Sequence, residues 1–352
     1  MPDHEPPPAG DEACVAPRGL PWRFVVTGAD GFLGRRVVCL AAAAGGAPVP
    51  VVGRTVSPAP RWRPPSGCIV ADVTRPCTLA GVFDGCGAVI HAAGLAHVFD
   101  HTGAMDAQLW RVNADGTENI ARAAAEAGVR HLVLVSSAAV YGPHEGWVDE
   151  TAPCRPEGAY AQSKLEAERR ATEVATRHGM ALTILRPVTM YGEGDPGNVY
   201  RLIRAIDRRR FLWIGSGTNR KSLLHRDDVA EACILALKRA PQGVEVFNVA
   251  GPAYEMREVI STIARELRRA IPPVRVPPRL VMALVHAVSR VDPTIGGGRN
   301  GLLESLQKWV RDDVYDGDKM RRVLGWQPRI DLQSGLRREI RWYLDSKRRA
   351  RP

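Results

Sequence analysis

The chain alternates between short apolar runs and longer segments in which apolar positions recur at helical spacing. The runs are rich in β-branched residues and end in glycine or polar residues, as strands do, whereas the longer segments are rich in alanine. Strands that alternate with helices are typical of βαβ units, which build a parallel sheet with helices on both faces. The pattern predicts strands at 23–27, 50–53, 68–72, 88–91, 131–136 and 181–185, helices at 32–44, 108–127 and 159–178, and a weakly helical segment at 79–83.

After Tyr191 the pattern changes, because glycine and proline cluster and the strands become sparse. We therefore expect an α/β fold in which a doubly wound parallel sheet is followed by a smaller C-terminal lobe. The sheet is predicted at 22–190, with segments near 222–250 that return to it, and the lobe at 191–221 and 251–345. Residues 1–21 are rich in proline and acidic residues, and we expect a disordered tail there.

Composition narrows the classes of partner. The 352-residue chain is 45% hydrophobic and carries 48 basic against 38 acidic residues, a net charge of +10 that favours anionic partners in general. The arginine runs lack interleaved aromatic residues, so no nucleic acid is expected. No apolar stretch reaches the roughly 18 residues needed to cross a bilayer, so no membrane partner is expected. Seven cysteines without a Cys-x-x-Cys pair, and histidines without metal-ligand spacing, predict a cytoplasmic protein with reduced thiols and no metal.

The first predicted strand runs into a glycine-rich turn. The sequence TGADGFLG at 27–34 places Gly28, Gly31 and Gly34 between this strand and the first helix. A sharp turn here lets a pyrophosphate approach bare backbone and face the N–H groups at the helix N-terminus. Because the motif lies between a predicted strand and a predicted helix, as this interaction requires, it predicts dinucleotide binding.

The ends of the second and third strands bear on which dinucleotide binds. An acidic residue at the end of the second strand would bind the adenosine ribose and favour NAD, but this chain has Gly53 and Arg54 there. Arg54 either pairs with the 2′-phosphate of NADP or is a surface arginine. Asp72 either accepts a hydrogen bond from the adenine amino group or is a turn residue. NAD and NADP both stay open as the cofactor.

A candidate proton-transfer site combines Tyr160, Lys164 and Ser137. Tyr160 and Lys164 are four residues apart on a predicted helix and therefore lie on one face. We expect the Lys164 ammonium to lower the pKa of Tyr160 from about 10 toward neutrality, and also to reach the nicotinamide ribose. Ser137 follows an apolar strand at the carboxyl edge of the sheet, where it can bind a substrate oxygen beside Tyr160.

Together these segments resemble the extended short-chain dehydrogenase/reductases, in particular the nucleotide-sugar epimerase/dehydratase group. The resemblance runs in order from about Phe24 to about Tyr343. It implies a Rossmann domain that binds NAD or NADP and a C-terminal lobe that binds a nucleoside diphosphate sugar. Its motifs are the glycine turn, HAAG at 91–94, VNADGT at 112–117, SSAAVYG at 136–142, Tyr160 with Lys164, RP at 186–187 before YG at 191–192, DGDK at 316–319 and LGWQP at 324–328.

The resemblance also implies a role for each matching residue. Tyr160 would be the general acid/base, Lys164 its partner and a ribose ligand, and Ser137 the donor to a substrate oxygen. Val188 would face the nicotinamide amide, and Asn113 would brace the active-site helices. The rest of the cofactor would contact Gly28, Gly31, Gly34, the backbone N–H groups of Phe32 and Leu33, Ala93 and Gly94.

Two alanines bear on the reaction. The group's 4,6-dehydratases carry acidic residues directly after the hydroxyl of the fifth strand, where this chain has Ala138 and Ala139, which cannot transfer a proton. Dehydratase activity is therefore not expected. Two reactions at C4 of a hexose remain: epimerisation through a 4-keto sugar, and NADPH-dependent reduction of a 4-keto sugar. We rank the 4-epimerase ahead.

Substrate contacts follow the group's pattern less closely. Thr189 stands where many relatives have asparagine, and Lys221 where an arginine often meets the diphosphate. Arg220 and Lys221 together either neutralise a diphosphate or form a solvated basic turn. The sequence at 91–98 also resembles enzymes of polysaccharide biosynthesis that reduce or epimerise N-acetylated UDP-sugars.

Two further functions stay open. One is a catalytically silent NAD(P)-binding regulator, in which Ser137, Tyr160 and Lys164 would have no use. The other is an oxidoreductase for a steroid-like or lignin-like alcohol, which would need an apolar lobe in place of the basic region at 201–221. The Ala-rich helices at 108–127 and 159–178 predict a four-helix contact in a homodimer, or else packing within one chain.

Overall fold

Strands and helices alternate along the residues that the computed structural model describes, which are 23–53, 67–96, 103–195, 197–281, 283 and 310–349. The strands are β1 (Arg23–Thr27), β2 (Ala47–Val52), β3 (Ile69–Val70), β4 (Ala88–His91), β5 (His131–Val135), β6 (Ala181–Pro187), β7 (Thr189–Tyr191), β8 (Trp213–Ile214), β9 (Arg220–His225), β10 (Val244–Val249), β11 (Ala253–Glu255) and β12 (Arg275–Val276). The helices are α1 (Gly34–Ala43), α2 (Gly103–Leu109), α3 (Gly116–Glu126), α4 (Gly158–His178), α5 (Asn198–Asp207), α6 (Arg226–Arg239), α7 (Met256–Glu266), α8 (Asp318–Leu324) and α9 (Leu332–Arg349).

The large sheet is parallel throughout and has the order β10-β6-β5-β4-β1-β2-β3. The order runs outward from β1 in both directions, so the predicted α/β doubly wound Rossmann fold is confirmed. The carboxyl ends of β1 and β4 lie side by side, since Thr27 pairs with His91, and the strand order reverses here. Open α/β sheets bind their ligands in the crevice at such a point.

Both faces of the large sheet are covered. Phe24 and Val26 of β1 pack into a cluster with α1 and α6, whereas Val25 packs into a second cluster with α3 and α4. All three side chains are fully buried. Because successive residues of a strand point to opposite faces, a strand covered on both sides must be apolar along its length, as β1 and β5 are.

A second core forms around α5, α7 and α9 and the three-stranded sheet β11-β9-β7. Ile203 and Leu336 are fully buried within it. Met320, Leu324 and Trp326 lie in the part of the chain predicted as the C-terminal lobe, yet they pack into the core of the large sheet. The C-terminal part of the chain therefore contributes to both cores.

β2 is longer than predicted, although it contains two prolines. It begins at Ala47 and pairs with β1 over its first five residues. The carbonyl of Val52 accepts a hydrogen bond from the N–H of Ala71, so the even-numbered residues of β2 point their backbone N–H and carbonyl groups toward β3. β3 pairs only with Val51 and Val52. Pro48 and Pro50 lie before this paired stretch, so no hydrogen bond to a neighbouring strand is lost through their lack of an N–H group.

Three other predicted elements differ from the structure. The predicted helix at 108–127 is interrupted, because a π-helical stretch, Trp110–Asp115, separates α2 from α3. The predicted strand at 68–72 keeps only the two residues of β3, since Asp72 and Thr74 form a turn. The predicted helical segment at 79–83 is replaced by a 3₁₀ turn at Pro76–Leu79.

The Ala-rich faces of α3 and α4 are used within the chain. Ala121 and Ala124 of α3 and Ala171 of α4 are fully buried in the core beside the sheet. The outer surface of this helix pair carries ion pairs, in which Arg170 lies 2.7 Å from Asp115. The observation behind the homodimer prediction is thus explained by packing in one chain, and the homodimer stays a prediction.

Candidate active site

The glycine turn leaves no space for side chains. Gly28 follows β1 with a φ of +66°, and a Cβ there would lie 2.7 Å from the backbone of Ala93. A Cβ on Gly34 would lie 2.0 Å from the carbonyl oxygen of Gly28, because α1 begins directly against the turn. Leu33 at the N-cap position of α1 makes no side-chain cap. The helix N-terminus therefore presents backbone N–H groups beside bare backbone, which fits the pyrophosphate of a dinucleotide.

His91 connects β1, β4 and α3 beneath this turn. Its Nδ1 lies 2.6 Å from the Thr27 hydroxyl, and its Nε2 lies 3.0 Å from the Thr117 hydroxyl. Burial and, to a smaller extent, the nearby Lys164 charge lower the pKa of His91 to about 3. A neutral imidazole can donate with one nitrogen and accept with the other, so His91 is a structural link rather than a proton donor near neutral pH.

Asn113 lies in the π-helical stretch and ties two parts of the site together. Its Oδ1 accepts from the backbone N–H of Leu95 at 2.8 Å, and its Nδ2 donates to the Leu95 carbonyl at 3.1 Å and to the Ser163 hydroxyl at 3.0 Å. The loop after β4 is thereby held against α4. The bracing role that the resemblance implies stays a prediction, and π-helical insertions are frequent at functional sites.

Ser137 and Lys164 meet at the carboxyl end of β5. Ser137 has extended backbone, and its hydroxyl accepts from the N–H of Ala139 at 3.2 Å, at the start of a 3₁₀ turn. Lys164 is buried, and its Nζ donates to the Val135 carbonyl at 2.7 Å. A Cβ added to Gly94 would lie 3.7 Å from this Nζ, so the ammonium faces the loop after β4. The structure therefore brings Ser137, Lys164 and Gly94 together.

The pKa values in the site correct one prediction. Burial raises the pKa of the half-buried Tyr160, and the Ser137 hydroxyl opposes only part of this effect. The predicted fall of the Tyr160 pKa toward neutrality is therefore wrong for this structure, because the net shift is upward. Burial also lowers the pKa of Lys164 itself to about 8, against the effect of Glu168, which raises it. Lys164 therefore loses its proton at a lower pH than an exposed lysine does. The Val135 carbonyl accepts a hydrogen bond from one of the three N–H groups of the ammonium, which leaves two for other partners.

Behind Lys164 lies a buried ionic network that sequence reasoning missed. Glu168, one turn after Lys164 on α4, accepts from the Ser136 hydroxyl at 2.5 Å and pairs with Arg186 of β6 at 2.6 Å. Arg186 donates to the Tyr141 hydroxyl at 2.9 Å, which in turn donates to Asn248 of β10 at 2.7 Å. The network joins α4 to β5, β6 and β10. The only sequence signal was the spacing of Glu168 from Lys164, four residues on the same helix face.

Other predicted cofactor residues lie at or just beyond the carboxyl ends of β3, β4 and β6. Ala93 donates its N–H to the Thr27 hydroxyl at 3.3 Å, which keeps this loop against the glycine turn. Val188 is buried and donates its N–H to the Val249 carbonyl at 3.2 Å. Asp72 accepts from both the N–H and the hydroxyl of Thr74, so one carboxylate oxygen serves the turn. Arg54, His97 and the predicted tail at 1–21 lie outside the described residues.

The predicted substrate residues are on β7 and β9. Thr189 is half-buried and pairs with Leu223 of β9. The exposed Arg220 lies over the ring of Trp147, at 5.5 Å, whereas Lys221 has its Nζ 3.9 Å from Asp313. Neighbouring strand residues point to opposite faces, so Arg220 and Lys221 do not form the joint cationic pair that the sequence suggested.

A family model matches the segment that carries most of this site. Residues 24–250 match the NAD dependent epimerase/dehydratase family. The matched segment contains the glycine turn, Asn113, Ser137, Tyr160 and Lys164.

Curated relatives of the chain catalyse more than one reaction. The chain is 34% identical over 234 residues to an N-acetyl-alpha-D-glucosaminyl-diphospho-ditrans,octacis-undecaprenol 4-epimerase of Escherichia coli O157:H7, covering 66% of this chain and 70% of the relative. It is 29% identical over 265 residues to a dTDP-D-glucose 4,6-dehydratase of Mus musculus, covering 72% and 67%. Because a dehydratase is among the relatives, the comparisons do not support the exclusion of dehydratase activity.

A solved structure extends the similarity to the C-terminal part of the chain. MoeE5 in complex with UDP-glucose and NAD is 28% identical, with a TM-score of 0.73, and the match covers 92% of this chain and 99% of that chain. Among the described residues of this chain, no helix is both long and apolar enough to span a bilayer.

Proposed function

Because the chain belongs to the NAD-dependent epimerase/dehydratase family, we propose that it oxidises and reduces C4 of a nucleotide-activated hexose as a nucleotide-sugar 4-epimerase. The observation that carries this proposal is the convergence of Ser137, Tyr160 and Lys164 at the carboxyl end of β5. They lie beside a glycine turn whose backbone fits a dinucleotide. NAD or NADP, when bound there, supplies the acceptor and the donor of the hydride.

We assign the pyrophosphate contacts from the bare backbone of the glycine turn. Gly28, Gly31 and Gly34, with the N–H groups of Phe32 and Leu33, would hold the pyrophosphate. Ala93 and Gly94 would line the crevice, and Lys164 would use its remaining donors on the nicotinamide ribose. Asn113 and Val188 are assigned to the cofactor on the resemblance, and Arg54 and Asp72 on their places at the ends of the predicted second and third strands.

Tyr160 would move the proton at the C4 oxygen. Its raised pKa keeps the phenol protonated near neutral pH, which suits donation to a 4-keto oxygen during reduction. In the opposite direction the phenol must lose its proton, and the nearby Lys164 ammonium would stabilise the phenolate. The Ser137 hydroxyl, which interacts with Tyr160, would hold the same substrate oxygen in place.

The residues after Ser137 favour this reaction over dehydration. Ala138 is buried and Ala139 is the next residue of the 3₁₀ turn, so neither position offers a group that could remove a proton at C5. The alternative is a 4-keto-sugar reductase, which would use the same Ser137, Tyr160 and Lys164. Homodimer formation and a cytoplasmic location stay with this proposal as expectations.

A second candidate substrate is a hexose carried on a polyprenyl diphosphate. The relative from Escherichia coli O157:H7, a 4-epimerase, acts on a sugar of this kind according to its name. The chemistry at C4 would be unchanged, because only the group beyond the diphosphate differs. Thr189 is proposed to contact substrate in either case, with Arg220 and Lys221 as separate candidates, because these two side chains point to opposite faces of β9.

The proposal is tested with Tyr160→Phe and the matched variant Tyr200→Phe, which lies in the second core. We expect Tyr160→Phe to lower turnover of a UDP-hexose by about 100-fold or more while NAD binding, measured by calorimetry, is retained. Tyr200→Phe should keep both. Full activity in Tyr160→Phe would refute the mechanism. Mass spectrometry of the nucleotide that co-purifies separates the two reactions, since tightly retained NAD favours the epimerase and uptake of external NADPH favours the reductase.

A further inference from the structure

One face of the second lobe combines exposed apolar side chains with arginines. β8 and β12 pair in parallel, with Trp213 opposite Arg275. Leu212 and Val274 directly precede these two residues, so they lie side by side at the same edge, 48% and 62% exposed. Leu280 follows in the next turn and is 62% exposed. We call this surface the basic-apolar patch: Leu212, Val274 and Leu280 with Arg208, Arg209, Arg210, Arg268, Arg275 and Arg279.

The two chain segments of the patch are held together by specific contacts. The guanidinium of Arg275 lies over the ring of Trp213, at 5.7 Å from its centre. The N–H of Gly215 donates to the Val276 carbonyl at 3.0 Å. A Cβ on Gly215 would lie 3.4 Å from Pro278, so the segments are in close contact. The segments at 213–215 and 275–278 therefore lie side by side, and the Asp207–Arg269 ion pair brings the ends of α5 and α7 together next to them.

The positive charge of the patch is not balanced by its own segments. Positions 208–226 contain no acidic residue, and neither do positions 267–291. All six arginines of the patch are exposed. The acids that directly precede these two stretches are already paired: Asp207 is buried and bound by Lys347 at 2.5 Å and Arg269 at 3.0 Å, and Glu266 pairs with Arg337 at 3.3 Å. An exposed cluster of positive charges with apolar neighbours is typical of a surface that binds an anionic partner which also accepts apolar side chains.

We propose that the basic-apolar patch binds the surface of an anionic lipid bilayer. Arginines are attracted to the negative headgroups, and exposed leucine and valine side chains enter the boundary between headgroups and acyl chains. Single-stranded nucleic acid is a poorer fit, because it needs exposed aromatic rings for stacking. The aromatic rings here, Phe211 and Trp213, are half-buried and packed against each other at 5.3 Å.

This inference changes one expectation from the sequence. A membrane partner was not expected because no apolar segment could cross a bilayer, but binding at the surface needs no such segment. One consequence rests on the proposed function: membrane binding through the patch would bring the active site to a sugar diphosphate carried on a lipid. The binding itself does not depend on that function, and it is measured without substrate.

The test is co-sedimentation of the full chain with phosphatidylcholine vesicles, with and without phosphatidylglycerol. We expect binding only to the vesicles that contain phosphatidylglycerol, and its loss at about 1 M salt, where screening extends over only about 3 Å. Leu280→Glu, and separately Arg208→Glu with Arg210→Glu, should each weaken binding by about tenfold. Circular dichroism and melting temperature confirm that each variant is folded.

Matched controls lie on α8, which packs against the core of the large sheet, and not on β8 or β12. Val323 is 56% exposed, so Val323→Glu repeats the apolar-to-acidic change of Leu280→Glu at a similar exposure. Arg321→Glu with Arg322→Glu repeats the double charge reversal at exposed positions. These controls should bind vesicles like the unmodified chain. Equal binding to both vesicle types, equal weakening by controls and patch variants, or retention of a DNA oligonucleotide in place of vesicles would each overturn the proposal.

Discussion

Replacement of Glu168 by alanine should destabilise the protein strongly. Glu168 accepts two hydrogen bonds from Arg186, at 3.0 and 2.6 Å, in a region where both side chains are buried. Its loss leaves the Arg186 cation buried without a counter-charge, which costs about 3 to 5 kcal/mol. An unfolding entropy of about 2.1 cal/mol/K per residue gives about 0.7 kcal/mol/K for 352 residues, so a loss of about 4 kcal/mol lowers Tm by about 5 °C.

The assay is thermal unfolding by differential scanning calorimetry, with a matched variant on the same helix. Glu166 forms ion pairs with Arg169 at 2.8 Å and Arg170 at 2.7 Å on the outer surface, so Glu166→Ala should cost less than about 1 kcal/mol and lower Tm by about 1 °C. The double variant Glu168→Met with Arg186→Met removes both buried charges and should be more stable than Glu168→Ala alone. If the double variant is the less stable of the two, the reasoning from an uncompensated charge is refuted.

Three further predictions concern the site and the second core. Because burial lowers the pKa of Lys164 to about 8 while Glu168 raises it, kcat/KM should decline above about pH 8, and Glu168→Gln should move this decline to lower pH. Gly34→Ala should abolish NAD binding measured by calorimetry, since its Cβ would lie 2.0 Å from the Gly28 carbonyl, whereas Gly103→Ala, with no atom within 4 Å, should not. Burial and the nearby Asp195 raise the pKa of Glu339 well above 4.5. The contribution of this carboxyl to the free energy of unfolding is therefore fully present below pH 4.5 and is lost as pH rises through the raised pKa. Glu339→Gln should therefore raise Tm at pH 8 but not at pH 4.

Each of these predictions has a result that contradicts it. An alkaline decline of kcat/KM that stays at the same pH in Glu168→Gln would mean that Lys164 is not the titrating group. NAD binding by Gly34→Ala would show that the glycine turn has room for a side chain. A Tm gain for Glu339→Gln that is equal at both pH values would exclude titration of that carboxyl as the cause.

The sheet and the glycine turn were predictable because their signals are local. β1 and β5 read as buried strands from their own residues, and the spacing of Gly28, Gly31 and Gly34 follows from the turn that they form. The same holds for Ser137 and Lys164, whose places follow from the end of β5 and the face of α4.

The residues that were missed depend on partners far away in the chain. Glu168 and Asn248 read as ordinary polar residues, and only the fold brings them into one network with Arg186 and Tyr141. The upward shift in the pKa of Tyr160 has the same origin, because burial is a property of the assembled site and not of the Tyr160–Lys164 spacing. The π-helical stretch likewise has no periodic signature strong enough to separate it from a regular helix.

The late position of α8 has a consequence for how the protein is made. Trp326 packs into the core of the large sheet and donates its indole N–H to the Asp228 carbonyl at 3.2 Å, so the last piece of that core is synthesised 76 residues after Ala250. At about 5 to 20 residues per second, the ribosome needs roughly 4 to 15 seconds to supply it. During that interval the part of the large-sheet core that Met320, Leu324 and Trp326 cover is exposed, and exposed apolar surface of this kind favours aggregation of a nascent chain.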